Sequence, residues 1–437
     1  MTPFTKEELN EVLKGFEIED ISLATIRQCS AIAAALEKRC GEPFSHLEIG
    51  VPGLPPCPIG IEAQKAALDE RVASLYPPIL GVESLKKNAS RFLKAFLDID
   101  LAPEGIIPTT GSMQAAFLLT IECAQMDPTK DTILYICPGF PPHGRQPDVL
   151  GIKNIPFDIY EHRAEKLRTK LESYFEKGNI AAILYSNPNN PAWICLSEEE
   201  LKIIGDLCNK YDVIALEDMA YLCMDFRLDL SKPFQPPFQA TVARYTDNYV
   251  LMLSGSKIFS YAGERVGIAC ISDKLFHRHY PALQERYSIA TFGQNFANTY
   301  LYVSSSGTSH SAQCALAAML EAAVDGRYDF VGEMREYGRR SQRSRDIFAK
   351  HGFNLVYDRD LDRPISDGFF YTVGYPGLGN HDLMEVFFRC GIVAIALNAT
   401  GSDHAGLRIC VSRLGCDEDF ERLDRQLANV VKLINSN

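Results

Sequence analysis

Residues 250–267 read V-L-M-L-S-G-S-K-I-F-S-Y-A-G-E-R-V-G, and the reading of this stretch decides the fold. Val250, Leu251, Met252 and Leu253 form an apolar run with the character of a buried strand, broken at Ser254-Gly255-Ser256. Lys257 stands just past the break, and a second apolar run, 266–271, follows Gly263 and Arg265. The exit of a buried strand is where desolvation turns a lysine into a useful amine nucleophile, and hydroxyls with an arginine close by suit a phosphate. Taken alone, the stretch is equally compatible with a solvated loop lysine.

The chain of 437 residues is long enough for two domains. Its composition, 46% hydrophobic and 23% charged, is that of an ordinary globular protein. A net charge of −12 argues against non-specific binding to nucleic acid or to an anionic membrane. No apolar run approaches the roughly 18 residues of a membrane span. The opening M-T-P-F-T-K-E-E-L-N is acidic without an apolar core, so a cytoplasmic protein without a signal peptide is expected. Thirteen cysteines, an odd number with no C-x-x-C pair, read as buried reduced thiols, with Cys270, Cys314 and Cys410 in apolar runs. Nine histidines form no H-x-x-x-H or Cys/His cluster, so no metal site is expected.

Outward from the opening stretch, strands and helices alternate. Expected strands cover 106–107, 131–137, 179–185, 212–216, 248–253 and 266–271, each a near-continuous apolar run. Such runs separated by helices predict an α/β domain whose mostly parallel sheet is buried on both faces. Polar residues gather where these strands end, which is where open α/β sheets bind ligands. The turn Thr109-Thr110-Gly111-Ser112 feeds a long apolar helix near Met113, an arrangement that exposes amide donors to an anion. The strand at 131–137 leads into P-G-F-P-P-H (138–143), and that at 179–185 into S-N-P-N-N-P-A-W (186–193) and a capping box at Ser197–Glu200. The strand at 212–216 ends in E-D-M-A-Y (217–221). The first forty residues have helical spacing; 61–75, 83–98 and 327–350 are further expected helices. Beyond these, strands at 353–357, 368–373, 392–395 and 407–411 mix with helices at 381–390 and 417–434, a smaller α+β domain completed by the N-terminal segment. The expected domains are 1–60 joined to 326–437, and a large domain over 61–325.

S-G-S-K-(I-F-S-Y-A-G-E)-R-V-G, S-N-P-N-N-P, E-D-M-A-Y, P-G-F-P-P-H and L-R-I-C together resemble the fold-type I pyridoxal-phosphate enzymes, and within them the class I/II aminotransferases, over nearly the whole chain. The resemblance implies a large domain with a seven-stranded-type sheet sandwiched by helices, plus the smaller α+β domain. It implies pyridoxal 5'-phosphate as cofactor and Lys257 as the catalytic Schiff-base lysine. Asp218 would pair with the pyridinium nitrogen, Tyr221 and Asn190 would reach the ring hydroxyl, Phe140 would stack on the ring and His143 would orient Asp218. Ser112 and Met113 would hold the phosphate by their backbone amides, closed in by Ser254 and Arg265. Tyr76 would reach the phosphate from a partner subunit, which implies a homodimer with shared active sites. Arg408 would clamp the substrate carboxylate, with Gly50 and Asn190 beside it; a planar fork fits a carboxylate in a way that a lysine does not. An arginine within an apolar strand is costly to bury unless an anion pairs with it.

The chain departs from the family at Ala192-Trp193, where Thr-Gly is common, and at Met113, where smaller or polar residues are common. The expected reaction is transfer of an amino group from an L-amino acid to a 2-oxo acid, in ping-pong order. A C–S β-lyase is the alternative, and a non-enzymatic pyridoxal-phosphate-binding regulator a third; the acidic charge and the absence of room for an N-terminal DNA-binding domain speak against the regulator. Residues 287–326 contain neither lysine nor arginine, so the second arginine of aspartate-type enzymes is missing from its usual place. His310, at a helix start, could reach a substrate but reads equally as a structural cap.

Overall fold

The computed structural model describes residues 3–436. Strands β1 (Ile106–Thr109), β2 (Thr132–Cys137), β3 (Lys153–Asp158), β4 (Ile180–Ser186), β5 (Ile214–Asp218), β6 (Tyr249–Ser254) and β7 (Gly267–Ile271) form one seven-stranded sheet in the order β1-β7-β6-β5-β4-β2-β3. β7 runs antiparallel to both β1 and β6, and the other pairings are parallel. The apolar runs explain the arrangement: every residue of β2, β4, β5, β6 and β7 is buried, as strands covered on both faces must be. β3 lies at the edge and has no expected counterpart. Its K-N-I-P-F-D carries an exposed Lys153 and a Pro156 that only an edge strand tolerates. The helix Gly111–Met126 lies on the sheet, with Ala115, Leu119, Cys123 and Met126 in one core with Leu184, Leu216, Met252 and Ala269.

Register aligns the functional ends. Gly267 is opposite Thr109 on one side and Ser254 on the other, while Asp218 is opposite Ser186 and Met252. The last residues of β1, β4, β5 and β6 therefore share one end of the sheet, and the loops leaving it carry the polar motifs.

The chain divides into two compact units. The sheet belongs to the unit of Leu54–Asn189 and Cys195–Met334; the other contains the N-terminal segment through Gly53, Asn190–Ile194, and the chain from Arg335 onward. These limits fall several residues from the expected 60 and 325, the second inside the helix Phe330–Lys350. In the smaller unit, helices Lys6–Gly15 and Ile26–Cys40 are each opened by a capping box, Thr5 with Glu8 and Thr25 with Gln28. Leu407–Cys410 lies between Ile395–Ala396 and Phe370–Gly374 in a four-stranded sheet, flanked in sequence by helices Asn380–Arg389 and Asp417–Ile434. Ser45–His46 pairs with Ile392–Val393, tying the N-terminal segment to the C-terminal one. The single strand expected at 392–395 is thus two short strands with different partners.

Ten of the thirteen cysteines are buried. The expectation of buried thiols is corrected at three positions: Cys40 and Cys314 are half-buried and Cys416 is exposed. Cys416 immediately precedes the first turn of the last helix. Among the described residues, no His/Cys/Asp/Glu group could hold a metal ion, and no helix is long and apolar enough to cross a membrane.

Candidate cofactor and carboxylate sites

In the larger unit, β6 ends at Ser254 and turns into a one-turn helix, Gly255–Ile258, that carries a half-buried Lys257. The Ser254 hydroxyl accepts the Ser256 amide at 3.2 Å, which caps the turn and leaves the hydroxyl hydrogen to donate elsewhere. Arg265 follows in the left-handed region, φ 52°. This conformation turns its side chain back, so that Nη1 donates to the Ala262 carbonyl at 3.0 Å and lies 3.5 Å from Ser256 Oγ.

Arg265 lies against the entry of the long helix: a Cβ on Gly111 would fall 2.6 Å from its Nη2. Gly111 has φ +74°, and the N-cap Thr110 side chain makes no cap hydrogen bond, so the amides of Ser112 and Met113 belong to a first turn left open to an acceptor. Gly267 brings β7 just as close; a Cβ there would lie 3.1 Å from the Ser112 nitrogen. Free amides, a dipole end and a guanidinium converge as an anion cradle. The 41% exposed Met113 side chain leaves the amides uncovered, and Gln146 Nε2 fixes the turn by donating to the Met113 carbonyl at 3.0 Å.

Asp218 ends β5, buried, accepting the Ala220 amide at 3.1 Å. His143, buried in the first turn of the helix Pro141–Leu150, places Nε2 3.5 Å from Asp218 Oδ2. Burial pushes the Asp218 carboxyl up to about 7 and the His143 imidazole down to about 4. The pair is therefore a neutral imidazole beside a carboxyl held near the edge of ionisation. Among the described residues, neither His143 ring nitrogen has a hydrogen-bond partner. A cationic ring nitrogen seated at Asp218 would reverse its shift, since an opposite charge within about 4–6 Å favours the carboxylate. The donor set thus fits the pyridinium and the phosphate of pyridoxal phosphate side by side at one end of the sheet. Phe140 meets His143 edge-on, centroids 5.2 Å apart, and the Tyr135 hydroxyl donates to the Phe140 carbonyl at 2.8 Å. Tyr221 is buried in the turn after β5. Tyr76 is 89% exposed. Ser256, Tyr135 and Gln146 were not singled out by sequence; only Ser256, within S-G-S-K, carried a local signal.

In the smaller unit, Arg408 is buried on the strand opposite Thr372 and Ile395. Its Nη1 donates to Asn190 Oδ1 at 3.3 Å, and its Nη2 donates to the Glu48 carbonyl. The guanidinium stands over the Phe370 ring, Cζ 4.7 Å from the centroid. Gly50 borders the same ring: a Cβ there would come within 2.9 Å of Phe370 Cζ. Asn190, Gly50 and Arg408 are thereby brought together as expected. Phe370 escaped sequence reading because a phenylalanine in an apolar strand signals only core.

A lysine on the turn after β6, a buried aspartate closing β5 and this sheet order are the architecture of the fold-type I pyridoxal-phosphate enzymes. Residues 44–423 match aminotransferase class I and II, and the chain belongs to that family. It is 28% identical over 232 residues, 53% of the chain and 57% of the relative, to a probable aspartate aminotransferase of Methanocaldococcus jannaschii. It is 31% identical over 211 residues, 47% of the chain and 49% of the relative, to a probable N-acetyl-LL-diaminopimelate aminotransferase of Bacillus subtilis. The chain thus spans about half the length of the curated relatives it matches. A solved aminotransferase from Mycobacterium tuberculosis shares the fold with a TM-score of 0.74 at 17% identity, over 94% of this chain and 96% of that one.

Proposed function

We propose that this chain is a pyridoxal-phosphate-dependent aminotransferase, a cytoplasmic homodimer that moves the amino group of an L-amino acid to a 2-oxo acid in ping-pong order. The observation that carries the reading is the Asp218 carboxyl, buried beside a neutral His143 at the strand end next to the Lys257 turn. A carboxyl so placed serves chemistry that brings its own cation.

Bound pyridoxal phosphate supplies an aldehyde carbon that takes up amines and a ring that accepts electrons from the substrate α-carbon. The residues divide the remaining work. Asp218, oriented by His143, would keep the ring nitrogen protonated; Phe140 would stack on the ring; Tyr221 and Asn190 would reach its hydroxyl. Ser112, Met113, Ser254 and Arg265 would hold the phosphate, and Tyr76 would reach it from a second copy. The Lys257 amine would take up the proton that leaves the substrate α-carbon and hold it for return. Arg408 clamps the substrate carboxylate with its planar fork, and Gly50 lets the backbone approach.

The lack of lysine and arginine over 287–326 favours apolar, aromatic or broad side chains, although the curated relatives include a probable aspartate enzyme. A panel of amino acids with 2-oxoglutarate or pyruvate tests the reaction: a new amino acid is expected. Ammonia with pyruvate would instead make the protein a C–S β-lyase.

A further inference from the structure

Trp193 is the only tryptophan of the chain. It is fully buried in the smaller unit and holds a left-handed backbone, φ 60°, which bulky residues rarely adopt. Its indole fills the space over Gly368: a Cβ there would lie 2.0 Å from Cε2 and 2.1 Å from Nε1. Two residues on, the Phe370 ring meets the indole edge-on, centroids 6.2 Å apart and planes at 64°. The same ring carries the Arg408 guanidinium and is confined by Gly50. Trp193 also sits three residues after Asn190, the acceptor of Arg408 Nη1. The indole therefore reaches Arg408 by two routes, through the Phe370 ring and along its own backbone. A strained residue persists only where its surroundings over-determine it, and here the surroundings are the arginine's own supports.

We propose that Trp193 is a positioning residue for the carboxylate-binding arginine: lodged against Gly368, it fixes Phe370 under the Arg408 guanidinium and Asn190 beside it, so that a carboxylate bound at Arg408 is felt by the indole. The inference rests on the reading of Arg408 as the residue that binds the substrate carboxylate.

The test titrates the purified holoenzyme with propanoate, and with propanamide as its uncharged twin, following tryptophan emission and the heat of binding. Because Trp193 is the sole tryptophan, all indole emission reports on this one position. Propanoate should change the emission saturably and propanamide should not. Gly368→Ala, which displaces the indole, and Trp193→Gly, which relaxes the backbone but removes the indole, should each weaken propanoate binding by about tenfold. Trp193→Phe, which keeps an aromatic edge, should stay within about threefold of the parent. An emission that stays constant while calorimetry shows saturation overturns the proposal, as do Gly368→Ala and Trp193→Gly proteins that bind propanoate like the parent while Arg408→Ala does not. Undiminished binding by Arg408→Ala overturns the Arg408 reading itself, and the proposal with it. Should the variants not fold, the emission of the parent protein decides.

Discussion

Asp218 and Arg408 are both buried ionisable side chains, and their surroundings set opposite tasks for them. The folded pKa of Asp218, about 7, lies above its ordinary value of 3.8, so the folded apoprotein keeps a proton that the unfolded chain loses. Its stability contribution is full below the unfolded value and is lost as pH rises through 7. Buried Glu217, hydrogen-bonded by Asn187, Thr241 and the Val242 amide, is likewise raised to about 7 and has the same sign. His143, lowered to about 4 by burial, works the other way below its ordinary 6.5, and the two carboxyls outweigh it. Apoprotein melting should therefore show stability falling between about pH 4 and 7, and Asp218→Asn should remove about 2–4 kcal/mol of that fall. Holoenzyme should lack the Asp218 component, because a pyridinium restores the charged carboxylate. For Arg408 the prediction concerns binding: Arg408→Lys keeps the charge but loses the fork, and KM should rise roughly 10–100-fold for every amino acid alike. A rise confined to one class of side chain would count against a carboxylate clamp.

Strand ends are the elements on which the site depends, and Gly267 is where three of them meet. A Cβ there would lie 2.6 Å from the Leu253 carbonyl and 3.1 Å from the Ser112 amide, pushing β6, β7 and the anion turn apart. Gly267→Ala should cost about 2–4 kcal/mol in denaturant unfolding and release the cofactor at lower phosphate competition than the parent. These elements were legible because buried parallel strands need uninterrupted apolar runs, as Val250–Leu253 and Ile180–Ser186 show. β3 was not legible, since an edge strand with Lys153 and Pro156 has no such run. The helices Pro141–Leu150 and Glu165–Phe175 were missed for related reasons: two prolines open the first, and the second is mostly polar, with Leu167, Leu171 and Phe175 buried. The assignment of Asn190–Ile194 to the smaller unit depends on packing of Trp193 against Gly368, a contact between residues 175 positions apart that no local pattern announces.

For the molecule as a whole, the apolar residues left exposed bear on assembly. Leu75 and Tyr76 are 59% and 89% exposed, and the loop after them lies against Gly307, a few residues beyond the exposed Tyr302 and Val303. Exposed apolar neighbours of this kind mark contact surfaces. Light scattering should give twice 48.7 kDa, and Tyr76→Ala should weaken cofactor retention without altering Arg408-dependent carboxylate binding. A monomer with full activity would remove the shared-site proposal. Family membership was legible from five motifs in order, whereas the reach of each side chain was not, because register and left-handed turns such as that of Arg265 bring residues together that sequence keeps apart. The central claim is that Lys257 anchors a cofactor at the end of β6. Borohydride reduction of the purified protein followed by peptide mass spectrometry tests it directly. The account predicts a yellow protein whose colour Lys257→Ala abolishes and a pyridoxyl-phosphate adduct on the peptide carrying Lys257; a folded, colourless protein, or an adduct on another lysine, would contradict it.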